Sequence, residues 1–316
     1  MRRREFIAGL AGVATLPLAV RAQQRVPRIG VLLVSGPEIL GEFPKGLREL
    51  GYVEGKSILV ETLSAGGNTG RLAGLAEDLV RRKVDIIVAA QVPSVMAAKT
   101  ATRDIPIVMA PGAEPVALGF VESLARPGGN ITGVATLGAE MGAKSLELVS
   151  DIMPAARRVG VLVNGNDPFH KFFIDTLQSS GARARIDVRP FVVREVNDIV
   201  GHFAEAARDK LDAIVMQASL PVTIIADLGL KHRLPVFSTN VGGAKAGHLA
   251  AYTVSTAERG RQIAGYVDRI LKGAKPADLP VQQQSKFELA VNLKTAAALG
   301  LAIPPTILGR ADEVIE

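Results

Sequence analysis

The sequence predicts an α/β protein of two doubly wound parallel-sheet lobes. Short apolar runs alternate with segments of helical period from Arg28 onward, and the same alternation starts again after Ala135. The roughly 290 residues beyond the N-terminal segment exceed what one ordinary core accommodates and suit two lobes of moderate size. Strands that are apolar on both faces and separated by helices belong in a parallel sheet covered on both sides.

The first series begins with the buried strand Arg28–Val34, followed by a helix from Phe43 to Gly51 that presents Phe43, Leu47 and Leu50 on one face. Strand Ile58–Thr62 follows. The helix Leu72–Arg82 ends in Arg81, Arg82 and Lys83, cations that suit the negative end of its dipole. Strand Asp85–Ala90, helix Pro93–Thr102 and strand Ile105–Met109 come next, then a turn cluster at Ala125–Asn130 and strand Ile131–Ala135. The second series is helix Ala139–Ile152, strand Arg158–Val163, helix Pro168–Gly181, strand Ile186–Val193 and helix Asn197–Arg208. Strand Asp212–Met216, helix Ile224–Lys231 and strands Pro235–Ser238 and Leu249–Val254 complete it. The amphipathic helix Thr256–Lys272 stops at Gly273, and a strand near Phe287–Val291 and a helix near Lys294–Leu299 follow. These last pieces are expected to cross back and complete both lobes. The expected division is residues 27–137 with about 254–280 in lobe 1, residues 138–253 with about 281–300 in lobe 2, and a C-terminal tail over 301–316.

Residues 1–22 read as an export signal: Arg3 and Arg4, the uncharged run Ala8–Val20, and small residues before Gln23. The paired arginines with Phe6 and Ile7 also fit the twin-arginine variant. The run is shorter than the about 20 apolar residues a bilayer span requires. The net charge is +6, and Arg2, Arg3, Arg4 and Arg21 against Glu5 leave about +3 for the remainder. Those charges are interleaved without a basic run, so no nucleic-acid partner is expected. Cysteine is absent, which excludes disulfides, thiolate chemistry and acylation at the cleavage region. A protein exported in this way, without a lipid anchor, is expected to be soluble in a Gram-negative periplasm.

Several strings are recognisable. They are Gly46–Gly55 (GLRELGYVEG), Ile105–Val108 (IPIV), Ser123–Gly133 (SLARPGGNITG), Tyr266–Val281 (YVDRILKGAKPADLPV), Lys286–Leu289 (KFEL) and Arg310–Glu316 (RADEVIE). Together they resemble ABC-transporter substrate-binding proteins related to the tryptophan/tyrosine-type uptake proteins. The resemblance implies a periplasmic binding protein of the first structural type, two lobes joined by three hinge strands. It also implies capture of a small solute, an amino acid or related carboxylate, by hinge closure and delivery to an ABC permease in the inner membrane. A monomer is expected. The alternative is a periplasmic sensor that presents its closed form to a chemoreceptor or sensor kinase.

Ligands of such sheets bind outside the carboxyl ends of the strands, which selects the candidate residues. Ser35 follows the first strand. Gln91 and Ser94 flank Pro93 at a helix start that could receive a carboxylate, although Ser94 could equally cap the helix. The family more often has Gly-Thr-Pro-Ala at 91–94. Glu114, where the family usually has Asp, could pair a ligand ammonium or serve a helix start. Asn164, Asp167 and Phe169 could contact a solute, with Asp167 equally suited to capping the helix after Pro168. Gln217, Ser219, Thr239 and Asn240 stand at equivalent strand ends. His248 departs from the family's Gly-Gly-Leu-Met-Ser-Tyr at 247–252, and a lone His is more often structural. Departures at Gln91, Val92, Glu114 and His248 suggest a ligand other than the best-known aromatic amino acids.

No catalytic signature is present. There is no His-Glu-x-x-His, no Gly-x-Ser-x-Gly elbow and no P-loop, and the Gly66–Gly70 cluster lacks dinucleotide spacing. His170, His202, His232 and His248 have no metal-ligand spacing. The expectation is a binding protein rather than an enzyme, without metal or cofactor.

Overall fold

The computed structural model describes residues 25–316, and the expected export signal lies outside the described residues. The first sheet is built from β1 (Arg28–Leu33), β2 (Leu59–Ser64), β3 (Ile86–Ala90), β4 (Ile107–Ala113) and β5 (Ile131–Thr136) in the order β2-β1-β3-β4-β5, all parallel. The second repeats this with β6 (Arg158–Asn164), β7 (Asp187–Val193), β8 (Ala213–Met216), β9 (Val236–Ser238) and β10 (Ala250–Val254) in the order β7-β6-β8-β9-β10. This is the 2-1-3-4-5 order of doubly wound sheets, with a switch point between β1 and β3 in one lobe and between β6 and β8 in the other.

Helices cover both faces, as the two-sided apolar strands require. In lobe 1, α1 (Phe43–Glu49) packs on one face, and α2 (Leu72–Arg81) and α3 (Val92–Ala101) on the other. In lobe 2, α4 (Gly138–Ile152) and α5 (His170–Ala184) cover one face, and α6 (Val196–Arg208) and α7 (Val222–His232) the other. A four-residue α8 (Gly243–Ala246) precedes β10. Leu50, expected on the buried face of α1, lies beyond the helix end and is exposed.

The chain crosses between lobes three times. β5 leads into α4 at Thr136–Gly138, and β10 of the second sheet leads into α9 (Thr256–Leu271), which packs against α1. The third crossing runs from β11 (Gln282–Gln283), paired with β5, to β12 (Phe287–Asn292), paired antiparallel with β10. Gln282 and Gln283, within the stretch from about 281 expected in lobe 2, belong to the first sheet, because the two-residue β11 offers too little apolar periodicity to declare its neighbour. The expected tail 301–316 is also structured. After α10 (Leu293–Leu299), α11 (Pro305–Leu308) buries Ile307, and β13 (Glu313–Ile315) extends the second sheet parallel to β12.

The α1–α9 contact is close because glycines face each other. A Cβ on Gly260 would lie 2.4 Å from the backbone of Glu42 and Phe43, and one on Gly46 would lie 2.9 Å from Ala264 Cβ. This contact fixes the hinge end of α9 to lobe 1. Gly260→Ala is expected to lower the urea midpoint through a loss of about 1–3 kcal/mol, with an unchanged denaturant slope. A midpoint equal to the wild type would show that the crossing has slack.

Candidate functional site

The carboxyl ends of the two sheets face one another and enclose a cavity that admits the centres of water-sized spheres over about 60 Å³. Lobe 1 contributes Gln91, Val92, Pro111 and Ala113 from the ends of β3 and β4. Lobe 2 contributes Asp167, Phe169, Phe173, Gln217, Ser219 and Thr239. The crossing segments add Thr136, Gly138, Thr253, Val254 and Arg259. The site therefore stands at the strand ends near both switch points, where an open α/β sheet places its ligands.

Gln91 bridges the lobes. Its Nε2 donates to the carbonyl of Ala218 at 2.8 Å, and Asn240 Nδ2 donates to the same carbonyl from within lobe 2, also at 2.8 Å. Gln91 holds φ 69, a region that favours glycine and costs other residues on the order of 1–3 kcal/mol. It also supplies the carbonyl to which the amides of Ser94 and Val95 donate at the start of α3.

Asp167 is buried and held by three donors. Its Oδ1 accepts from the amide of Phe169 at 3.0 Å, and its Oδ2 accepts from Gln217 Nε2 at 2.7 Å and Ser219 Oγ at 2.8 Å. Gln217 is held in turn by the amide of Asn164, which donates to its Oε1. Burial pushes the Asp167 carboxyl up to about 6, against the lowering effect of these donors and of nearby His170. Helix α5 starts at His170 rather than at the expected Pro168, so Asp167 spends one oxygen on the turn before the helix and the other on strand-end side chains.

Arg259 was not singled out from the sequence. Its guanidinium is 1 % exposed, and Nε and Nη2 have no hydrogen-bond partner among the described residues. Burial pushes its pKa down to about 10, partly offset by Glu288, so it remains a cation at neutral pH. A signal was available: Arg259 shares the apolar stripe of α9 with Ile263, Tyr266, Val267 and Ile270. A cation in the first turn of a helix also opposes the dipole.

Six of the twelve expected site residues line the cavity: Gln91, Asp167, Phe169, Gln217, Ser219 and Thr239. The other six do not. The Ser35 carbonyl accepts from Ser64 Oγ. Ser94 is buried in the first turn of α3 with its hydroxyl unpartnered among the described residues. Glu114 is half-buried at φ 44, and burial together with Glu140 raises its pKa. Asn164 faces an outer groove it shares with Asn68 and Arg194. Asn240 is committed to Ala218 and to the amide of Gly242. His248 is buried away from the cavity, its Nε2–H donating to the carbonyl of Val222 at 3.0 Å.

Two doubly wound lobes with a cavity between their strand ends define a cleft-binding protein of the type 1 periplasmic binding fold. The family of ABC transporter substrate binding proteins matches residues 32–315, and the chain belongs to that family. It is 28% identical over 269 residues to a tyrosine-binding protein of Clostridioides difficile, a match covering 82% of this chain and 75% of that protein. Among solved structures, a domain from Streptococcus pneumonia in complex with L-Trp superposes with a TM-score of 0.84 at 25% identity. That match covers 92% of this chain and 100% of that one. A conserved domain protein from Vibrio cholerae gives the same TM-score and coverage at 26% identity. No helix among the described residues is long and apolar enough to cross a membrane.

His248 makes the fold sensitive to acid. Burial lowers its pKa from 6.5 to about 4, so the folded protein binds fewer protons than the unfolded chain between those values. Stability from this residue is complete above about pH 6.5 and declines as pH falls toward 4. Asp167, raised to about 6, acts in the opposite sense, so a variant is needed to isolate His248. Between pH 7 and 4.5, His248→Gln is expected to lose on the order of 2–3 kcal/mol less stability than the wild type in urea titrations. Equal losses would show that the imidazole is not held neutral.

Proposed function

We propose that the protein is the periplasmic solute-binding component of an ABC importer and captures an amino acid or related carboxylate between its lobes by hinge closure. The observation that carries this reading is the interlobe cavity bridged by the bond from Gln91 to Ala218. Asp167 offers a carboxylate to a ligand ammonium, while Phe169, Phe173, Val92 and Met141 supply apolar walls for a side chain. The names of the tyrosine-binding and L-Trp-bound relatives support an amino acid as solute. Export rests on the pattern of residues 1–22, and delivery to a membrane permease rests on family membership. Three donors orient the Asp167 carboxylate and leave it acceptor capacity for a ligand ammonium.

Closure works by population shift, because the closed form must bind the solute better than the open form does. A thermal-shift screen of residues 23 onward against amino acids, small carboxylates and aromatic acids tests capture. A solute at 100 times its Kd should add about 2.7 kcal/mol of stability. A response confined to one chemical class supports the reading, and a folded, ligand-free protein that responds to none contradicts it.

Gln91→Gly separates closure from stability. The substitution relaxes the backbone at φ 69 and removes the bond across the cleft, worth about 1 kcal/mol. Small-angle scattering of the ligand-free variant should show a larger radius of gyration, with no loss of melting temperature. An unchanged radius would show that Gln91 does not hold the lobes together.

A further inference from the structure

The cavity holds one cation with no hydrogen-bonded partner on its Nε and Nη2 edge. Arg259 is buried to 1 % exposure and lines the cavity where α9 leaves the second crossing. Among the described residues no carboxylate forms an ion pair with it, although Glu288 is near enough to favour its charged form. Asp167, the other buried charge of the cavity, is already served by three donors. An unpaired buried charge is strongly destabilising, so a protein that keeps one in a ligand cavity gains when an anion arrives.

We propose that Arg259 is the specificity-determining anion site of the cleft, receiving a carboxylate of the captured solute at the hinge. This rests on the solute-capture reading and narrows it to small apolar acids. The two unpartnered nitrogens are Nε and Nη2, which form one edge of the guanidinium. Their parallel N–H groups match both oxygens of a carboxylate, a pairing that a lysine cannot reproduce. The start of α3, the other place where a carboxylate could sit, has less to offer. Pro93 has no N–H, and the amides of Ser94 and Val95 already donate to Gln91. The apolar part of the cavity lining is Ile39, Met141, Phe169, Phe173, Val241 and Val254. A bound acid would therefore be matched by Arg259 at one end and by hydrocarbon along its body. Thr136 and Thr253, at the chain crossings, also line the cavity.

The test is titration calorimetry with L-phenylalanine, L-tyrosine, L-leucine, phenylacetate and 4-hydroxybenzoate, each beside its primary amide. The expected result is that at least one acid binds the wild type on the order of 100-fold more tightly than its amide. Arg259→Met should weaken that acid by a similar factor while the ligand-free variant melts no lower than the wild type, since an unpaired buried charge has been removed. Arg259→Lys should keep part of the affinity, weaker by roughly tenfold, and carries the comparison should the methionine variant not fold. The proposal is overturned if Arg259→Met binds the acid within about threefold of the wild type. It is likewise overturned if the amides bind as well as the acids, or if none of the acids binds. The two readings fail differently. A primary amide that binds while its acid does not leaves capture standing and removes the role of Arg259; a protein that binds no acid and no amide, in calorimetry or in the thermal-shift screen, removes both.

Discussion

Three chain crossings between two parallel sheets are the constraint on which the rest depends. Because the backbone passes between lobes at Thr136–Gly138, Val254–Thr256 and Gln283–Phe287, three segments tie the lobes together. Parallel sheets gather the loops that follow their strands at one end, and the crossings turn those ends toward each other. The cavity is thus a consequence of topology before any side chain is considered. Hinge motion of this kind is a recognised way to enclose a ligand, because a few segment-terminal residues absorb the rotation.

Side chains then decide how the closed arrangement is held and what it encloses. Gln91 stands where the backbone favours glycine, and its amide reaches the carbonyl of Ala218 on the opposite lobe. Strain on one lobe is thereby coupled to a bond across the cleft. Local strain of this size persists at positions whose function requires it. Asp167 shows the complementary arrangement: two strand-end side chains and a backbone amide fix its carboxylate so that it keeps one orientation in a buried setting. Arg259 lies just after the second crossing with an unpaired guanidinium edge, so the charge that a solute would meet sits next to the contact that ties α9 to lobe 1.

Much of the architecture was legible because burial on both faces of a strand leaves a simple trace. The alternation of apolar runs and amphipathic helices marked both lobes, and the restart after β5 marked their division. The parts that were not legible are short or depend on distant partners. β11 has two residues and β13 three, and each exists only because an edge strand is available to pair with it. In the site, reading the strand ends found Gln91, Asp167, Phe169, Gln217, Ser219 and Thr239. The same rule also selected Asn164, Asn240 and His248, whose Oδ1, side-chain amide and Nε2 are used in loop and core bonds. Sequence position identifies which residues end a strand but not which way each side chain turns. Arg259 escaped because it belongs to a helix after a crossing, although its place in an apolar stripe was a readable anomaly.

The most direct measurement is a crystal structure of the protein grown with the tightest solute from the binding screen. The account predicts closed lobes with one solute in the cavity, its carboxylate on the Nε and Nη2 edge of Arg259 and its body against Phe169 and Phe173. A solute bound outside the interlobe cavity, or lobes that remain open around it, would contradict the account.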